Sequence, residues 1–294
     1  MAQWSVRVQN ALAALPRSEE FAGALATAGL SGPDWSLLVT AYLCEPPFTL
    51  ADLSGSLPYT APEAVESRLQ GLLTRAYVRR VATAEYLLTD KAAELLQQWS
   101  DKERSLLAGT HPLPARDLKR LAELLERVVA AGLAAAYPPQ KPRLRGSRRL
   151  APAANAAPMA RIDQALTDLY YYRDDCHMTA WRATGLDGPA VEVLTRLWRG
   201  EVQDVETASA SLTERRGYDS RYYARLVQKL AGRGLLEPAG SDTVLTASGR
   251  ELREGIEAAT EQYYMAPWTV LPPLQLRQLG DLLTRFTRAL QPPA

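Results

Sequence analysis

At 294 residues, with 47% hydrophobic and 23% charged side chains, the chain has an ordinary globular composition and room for two domains with real cores. Its 34 basic and 33 acidic side chains leave a net charge of +1, which excludes a globally basic nucleic-acid binder and requires any such face to be local. Two cysteines, Cys44 and Cys176, exclude a dense disulfide framework; with no basic-then-apolar leader and no run near ~18 apolar residues, the expectation is a cytoplasmic protein without a membrane span.

In chain order, residues 4–15 are expected as an amphipathic helix stopped by Pro16, and 18–28 as a second helix. Ser31 and Pro33 supply the N-cap and first turn of the next. A short helix at 49–57, a longer one at 62–75 and a hairpin through 77–81 and 86–88 follow. A helix opening at LTDKAAELL and a leucine-rich one from Leu118 close this half.

Residues 137–159 carry prolines, small residues and no periodicity, and read as a linker. Their cations are Lys141, Arg143, Arg145, Arg148 and Arg149, with no acid among them. Two readings stand side by side: a solvated, protease-sensitive tether, or a basic arm on a phosphate backbone or in a minor groove.

The second half is expected as helices at 162–183, 189–199, 204–213 and 218–231, a hairpin, then helices at 247–265 and 274–290. Tyr223, Leu226, Val227 and Leu230 share one helical face, and Gly232 and Gly234 end that helix. Gly240-Ser241-Asp242 is turn chemistry, and Thr246 can cap the next helix. Arg221, Tyr222, Arg225 and Lys229 then sit where a recognition helix meets DNA.

The halves echo one another. Gly29/Gly185, Leu30/Leu186, Gly32/Gly188 and Pro33/Pro189 are 156 apart. Leu88-Thr89 and Leu245-Thr246 are 157 apart, and Leu113-Pro114 and Leu271-Pro272 are 158 apart. Leu118/Leu276, Leu121/Leu279, Leu124/Leu282, Leu125/Leu283 and Arg127/Arg285 keep the last offset. The pattern reads as a duplication: one copy at 1–136, a basic Pro/Ala-rich linker at 137–159, and a second copy at 160–294.

The string LAGRGLLEP…VLTASGRELREGI, followed by LPPLQLRQLGDLLTRF, resembles the MarR family of winged-helix regulators. The resemblance covers most of both copies and is weaker in the first. It implies a mostly α fold with short β-hairpin wings: two winged-helix domains joined through a helical pseudo-dimer interface. There Leu121, Leu124, Leu125 and Val128 would pack with Leu279, Leu282, Leu283 and Phe286. It also implies double-stranded DNA as partner. The contacting set would be Arg215, Arg216, Arg221, Tyr222, Arg225 and Lys229, joined by Arg68, Arg75, Arg79 and Arg80 from copy one and by Arg145, Arg148 and Arg149 from the linker.

Two departures from the family pattern stand out, the first in both copies and the second in copy one. The turns AGSDTV and ATAEY carry no basic tip, and the places of Arg225 and Lys229 are taken by Ser67 and Gly71, with Glu63 and Glu66 nearby. An effector cleft between dimer helices and winged helix is also implied, for a small aromatic, hydrophobic ligand. Tyr171, His177, Trp181, Tyr263, Tyr264 and Trp268 are its candidates, against the plainer reading of aromatics packing a half-buried helix.

No CxxC or HExxH pairing exists, and Cys176 and His177 diverge on a helix, so neither a metal nor a cofactor is expected. No nucleophile elbow or phosphate loop appears, so no enzyme is expected. Asp174-Asp175 beside Arg173 reads as an ordinary ion pair. Three functions remain: a regulator preferring an asymmetric DNA site, a winged-helix scaffold docking a protein partner, and a lesion-binding repair protein.

Overall fold

Proline and short polar residues set most of the helix boundaries in the computed structural model, which describes residues 3–202, 212–213, 215–239 and 242–291. Helix α1 (Gln3–Ala14) ends before Pro16, and α2 (Phe21–Thr27) follows. Reciprocal capping boxes start α3 (Gly32–Leu43) at Ser31 and Asp34, and α4 (Leu50–Ser56) at Thr49 and Asp52. Strand β1 (Phe48–Thr49) precedes α4, and α5 (Pro62–Thr74) follows it. Strands β2 (Val78–Ala82) and β3 (Glu85–Leu88) form the hairpin, with β1 beyond β3, so the antiparallel order is β1-β3-β2. Thr89 caps α6 (Asp90–Ala108), and α7 (Ala115–Ala134) closes this part.

The second part runs α9 (Pro158–Arg182), α10 (Gly188–Trp198), α11 (Ser220–Gly232), the pair β4 (Leu236–Ala239) and β5 (Asp242–Leu245), and α12 (Ala247–Met265). Pro267 forces a short 3-10 turn, Ala266–Val270, before α13 (Pro273–Leu290). The expected helix at 204–213 lies outside the described residues except at Leu212 and Thr213, as does the Gly240-Ser241 tip.

The protein is mostly helical with small antiparallel sheets. One core joins α1, α7, α9 and α13; it contains Leu121, Leu124, Leu125 and Val128 together with Leu279, Leu282, Leu283 and Phe286. Two smaller cores fill the helix–hairpin units, one from α3 to β3 and one from α10 to β5. Between α7 and α13 the polar contacts follow a pattern. Arg127 donates to Gln275, and Arg285 pairs with Asp117 at 2.7 Å. Arg120 donates to Gln278 at 3.0 Å. Positions 117 and 275, 127 and 285, and 120 and 278 are each 158 apart.

The structure corrects the tether reading of the linker. Residues Pro142–Arg148 form helix α8, packed on α3 and α9. Gly146 lies so close to α3 that a Cβ would stand 2.4 Å from the Leu43 carbonyl oxygen. Leu144 and Ser147 are fully buried. Asp168 on α9, itself fully buried, accepts from Ser147 (2.6 Å), Gln164 (2.8 Å) and Arg148 (2.7 Å). Burial still drives its carboxyl pKa upward against those three bonds. Asp168→Ala would leave these donors without their acceptor, so a loss of roughly 2–3 kcal/mol in a denaturant titration is expected.

The Asp174-Asp175 pair is also corrected. Arg173 bonds Glu257 and Glu261 on α12, while Asp175 accepts the backbone N–H of Arg143 (3.3 Å) and Leu144 (3.0 Å), and Asp174 pairs with Arg143.

Candidate nucleic-acid interface

Asp219 starts α11 by accepting the Tyr222 N–H at 2.7 Å. Tyr223, Leu226 and Leu230 turn into the core of their unit, so Arg221, Arg225 and Lys229 are exposed on the opposite side. The spacing of four aligns them on one ridge. Gly234 (φ +69°) lets the chain reverse, and Thr246 ties the hairpin shut: its hydroxyl donates to the Gly234 carbonyl at 2.6 Å and accepts the Gly249 N–H at 3.0 Å. Gly249 has to lack a side chain, since a Cβ there would meet the Leu235 carbonyl oxygen at 2.1 Å.

Arg221 and Arg225 make no ion pair among the described residues, and Lys229 reaches Asp187 only at 3.6 Å with most of its side chain exposed. Tyr222 is half-buried and stacks on Tyr218 with ring centroids 4.1 Å apart. Burial and Asp187 push the Tyr222 phenol well above its ordinary value.

Other sequence candidates lie elsewhere. Arg215 is exposed. Arg216 is a correction: it forks onto Glu192 at 2.7–3.1 Å, its guanidinium over the Tyr59 ring, and is already spent inside the molecule. Arg75 pairs with Asp34 at 3.2 Å. Arg148 pairs with Asp168, and Arg149 donates to the carbonyls of Tyr42 and Cys44. Arg68 is half-buried, while Arg79, Arg80 and Arg145 are exposed, with Arg80 over the Tyr86 ring. On α5 the exposed side chains are Pro62, Glu63, Glu66, Ser67, Gln70 and Thr74, and its one cation, Arg68, is half-buried.

The six cleft candidates are not gathered in one cavity. Tyr264 and Trp268 are buried in the main core, where Trp268 also packs against Trp4. Tyr263 stacks on Tyr137, and Trp181 is buried against Tyr59. Tyr171 is half-buried on α9. His177 borders a cavity of about 250 Å³ with Tyr59, Glu192, Arg199, Arg215 and Arg216, a charged lining unlike the apolar one expected. A separate apolar hollow of about 500 Å³, lined by Ala180, Leu235, Leu252 and Ile256, contains none of the six.

The sequence reading missed the seam between the two helix–hairpin units. The Ala61 N–H donates to the Arg216 carbonyl at 2.8 Å, Arg182 donates to the Gly55 carbonyl at 2.9 Å, and Gly188 lies against the Pro58 carbonyl. All six residues sit in loops or within one residue of a helix end, where no periodicity marks them.

Among the described residues no three His, Cys, Asp or Glu side chains gather as a metal site, and no helix is long and apolar enough to cross a membrane. Helix α11 with its cationic ridge, closed by a two-stranded hairpin, has the arrangement of a helix-turn-helix reader. The chain belongs to a helix-turn-helix family, whose family model matches residues 54–292. No curated protein and no solved structure matches it. Membership in such a family points to DNA binding.

Proposed function

We propose that the chain is a MarR-like transcriptional regulator that binds duplex DNA through α11, with two winged-helix copies folded as a single-chain pseudo-dimer. The observation that carries the DNA reading is the unpaired ridge of Arg221 and Arg225, continued by Lys229, on the helix in the recognition position. Phosphates are neutralised by free cations; Arg221 and Arg225 have no ion pair among the described residues, and Lys229 has only its 3.6 Å contact with Asp187. The duplication is supported by the α7–α13 contacts. Equivalent positions exchange partners across a two-fold: 127 with 275, 285 with 117, while 120 meets its own equivalent 278. A response to a small effector is part of the same reading, with the apolar hollow bordered by Ala180 and Ile256 as the better fit for a hydrophobic ligand.

The test is binding to a fluorescent duplex. If three cations each neutralise one phosphate, affinity falls about 40-fold between about 50 and about 200 mM salt. Arg225→Ala with Lys229→Ala should weaken binding about tenfold and flatten the salt slope by about 1.8. Unchanged affinity in the double variant, or no binding at low salt, refutes the proposal.

A further inference from the structure

We infer that one chain grips a single major-groove segment, through α11 alone, instead of spanning two half-sites as a two-fold reader does. This rests on the DNA-binding reading above. Glu63 and Arg221 are 158 apart, so they hold equivalent places in the first turns of α5 and α11. A Cβ on Gly217 would lie 4.0 Å from the Ala64 Cα, and Arg221 follows Gly217 by four residues. Four residues reach at most about 14 Å, so the two first turns lie within roughly 20 Å of each other. Base edges are read by the first residues of a recognition helix, and two-fold readers hold these about 34–36 Å apart to meet successive turns of groove. The seam brings them too close.

The seam is built from backbone. Ala61 donates to the Arg216 carbonyl at 2.8 Å, and Gly188 and Gly217 let the chains approach where any side chain would clash with Pro58 or Ala64. Arg216 braces it from one side, bonded to Glu192 and lying over Tyr59. The chemistry of α5 agrees with the geometry. Glu63 and Glu66 are exposed on α5, and Glu63 is near enough to Tyr218, just before α11, to help raise its phenol pKa. A phosphate backbone extended from Arg221 toward the first turn of α5 would meet the Glu63 carboxylate where α11 has a cation.

The experiment compares duplexes of about 12 and about 24 base pairs at low salt, using the whole chain and reading affinity and stoichiometry. The expected result is per-site affinities within about threefold, two chains on the longer duplex, and no change in the Ser67→Ala plus Gln70→Ala variant, against about tenfold loss for Arg221→Ala plus Arg225→Ala. One chain on the longer duplex with affinity more than about tenfold higher, or loss of affinity from the α5 variant, overturns the single-groove inference and leaves DNA binding intact. Failure to bind either duplex overturns both.

Discussion

Gly188→Ala is expected to cost on the order of 2–3 kcal/mol and to part the two helix–hairpin units. In an ordinary helix first turn the change would be neutral or favourable, because alanine orders more cheaply than glycine. The cost is therefore non-local. The new Cβ would stand 2.1 Å from the Pro58 carbonyl oxygen, 2.6 Å from its carbon and 3.1 Å from the Tyr59 nitrogen, all backbone atoms that cannot rotate away. Gly23, in α2, supplies the control: nothing lies within 4 Å of a Cβ there, so Gly23→Ala should stabilise by about 0.5–1 kcal/mol. Chemical denaturation of both variants, with protease cleavage around residues 57–61 as a second readout, checks this. A Gly188→Ala protein as stable as its parent would mean that the seam closes without Pro58.

His177→Gln is expected to change how stability depends on pH by about 2 kcal/mol between pH 6.5 and about pH 5. Burial, with Arg253 and Arg173 close by, holds the His177 imidazole down to about 4, below its ordinary 6.5. A depressed pKa in the folded state means the unfolded chain binds the extra proton first. The contribution of His177 is thus complete above pH 6.5 and is lost as pH falls toward 4. Asp175 works in the opposite direction. Burial raises its carboxyl from 3.8 to about 7, so its contribution is present below 3.8 and lost as pH rises through 7. In the parent the two oppose each other in this window, and in His177→Gln stability should fall more steeply with rising pH because the imidazole no longer offsets Asp175. Parallel profiles would exclude a neutral buried His177.

How much of this was legible in the sequence depended on whether periodicity or capping chemistry marked it. Ser31, Thr89 and Thr246 announced helix starts that the structure contains, and the leucine stripes of α7 and α13 announced each other. Helix α8 was missed because seven residues hold fewer than two turns, and Leu144 is its one large apolar side chain, so no stripe could form. The partners of Asp175 were missed although helical geometry gave a warning: residues two apart do not face each other, so Arg173 could not reach it. The dispersal of the aromatic candidates escaped the sequence for a different reason. Trp181, Tyr264 and Trp268 fill cores, and a ring that packs is indistinguishable in sequence from a ring that lines a ligand site. The seam rests on main-chain contacts of loop residues, which side-chain patterns do not encode.

The pairing of α7 with α13 has one further consequence. In a two-chain protein, helices that bury such stripes against each other separate on dilution, and their stability tracks protomer concentration. Here both stripes belong to one polypeptide joined through α8, so their effective concentration is fixed by covalent connection and mass action cannot part them. The α7–α13 pairing should therefore persist at any dilution. The two halves can then carry different surfaces, with exposed carboxylates on α5 and cations on α11, in one molecule.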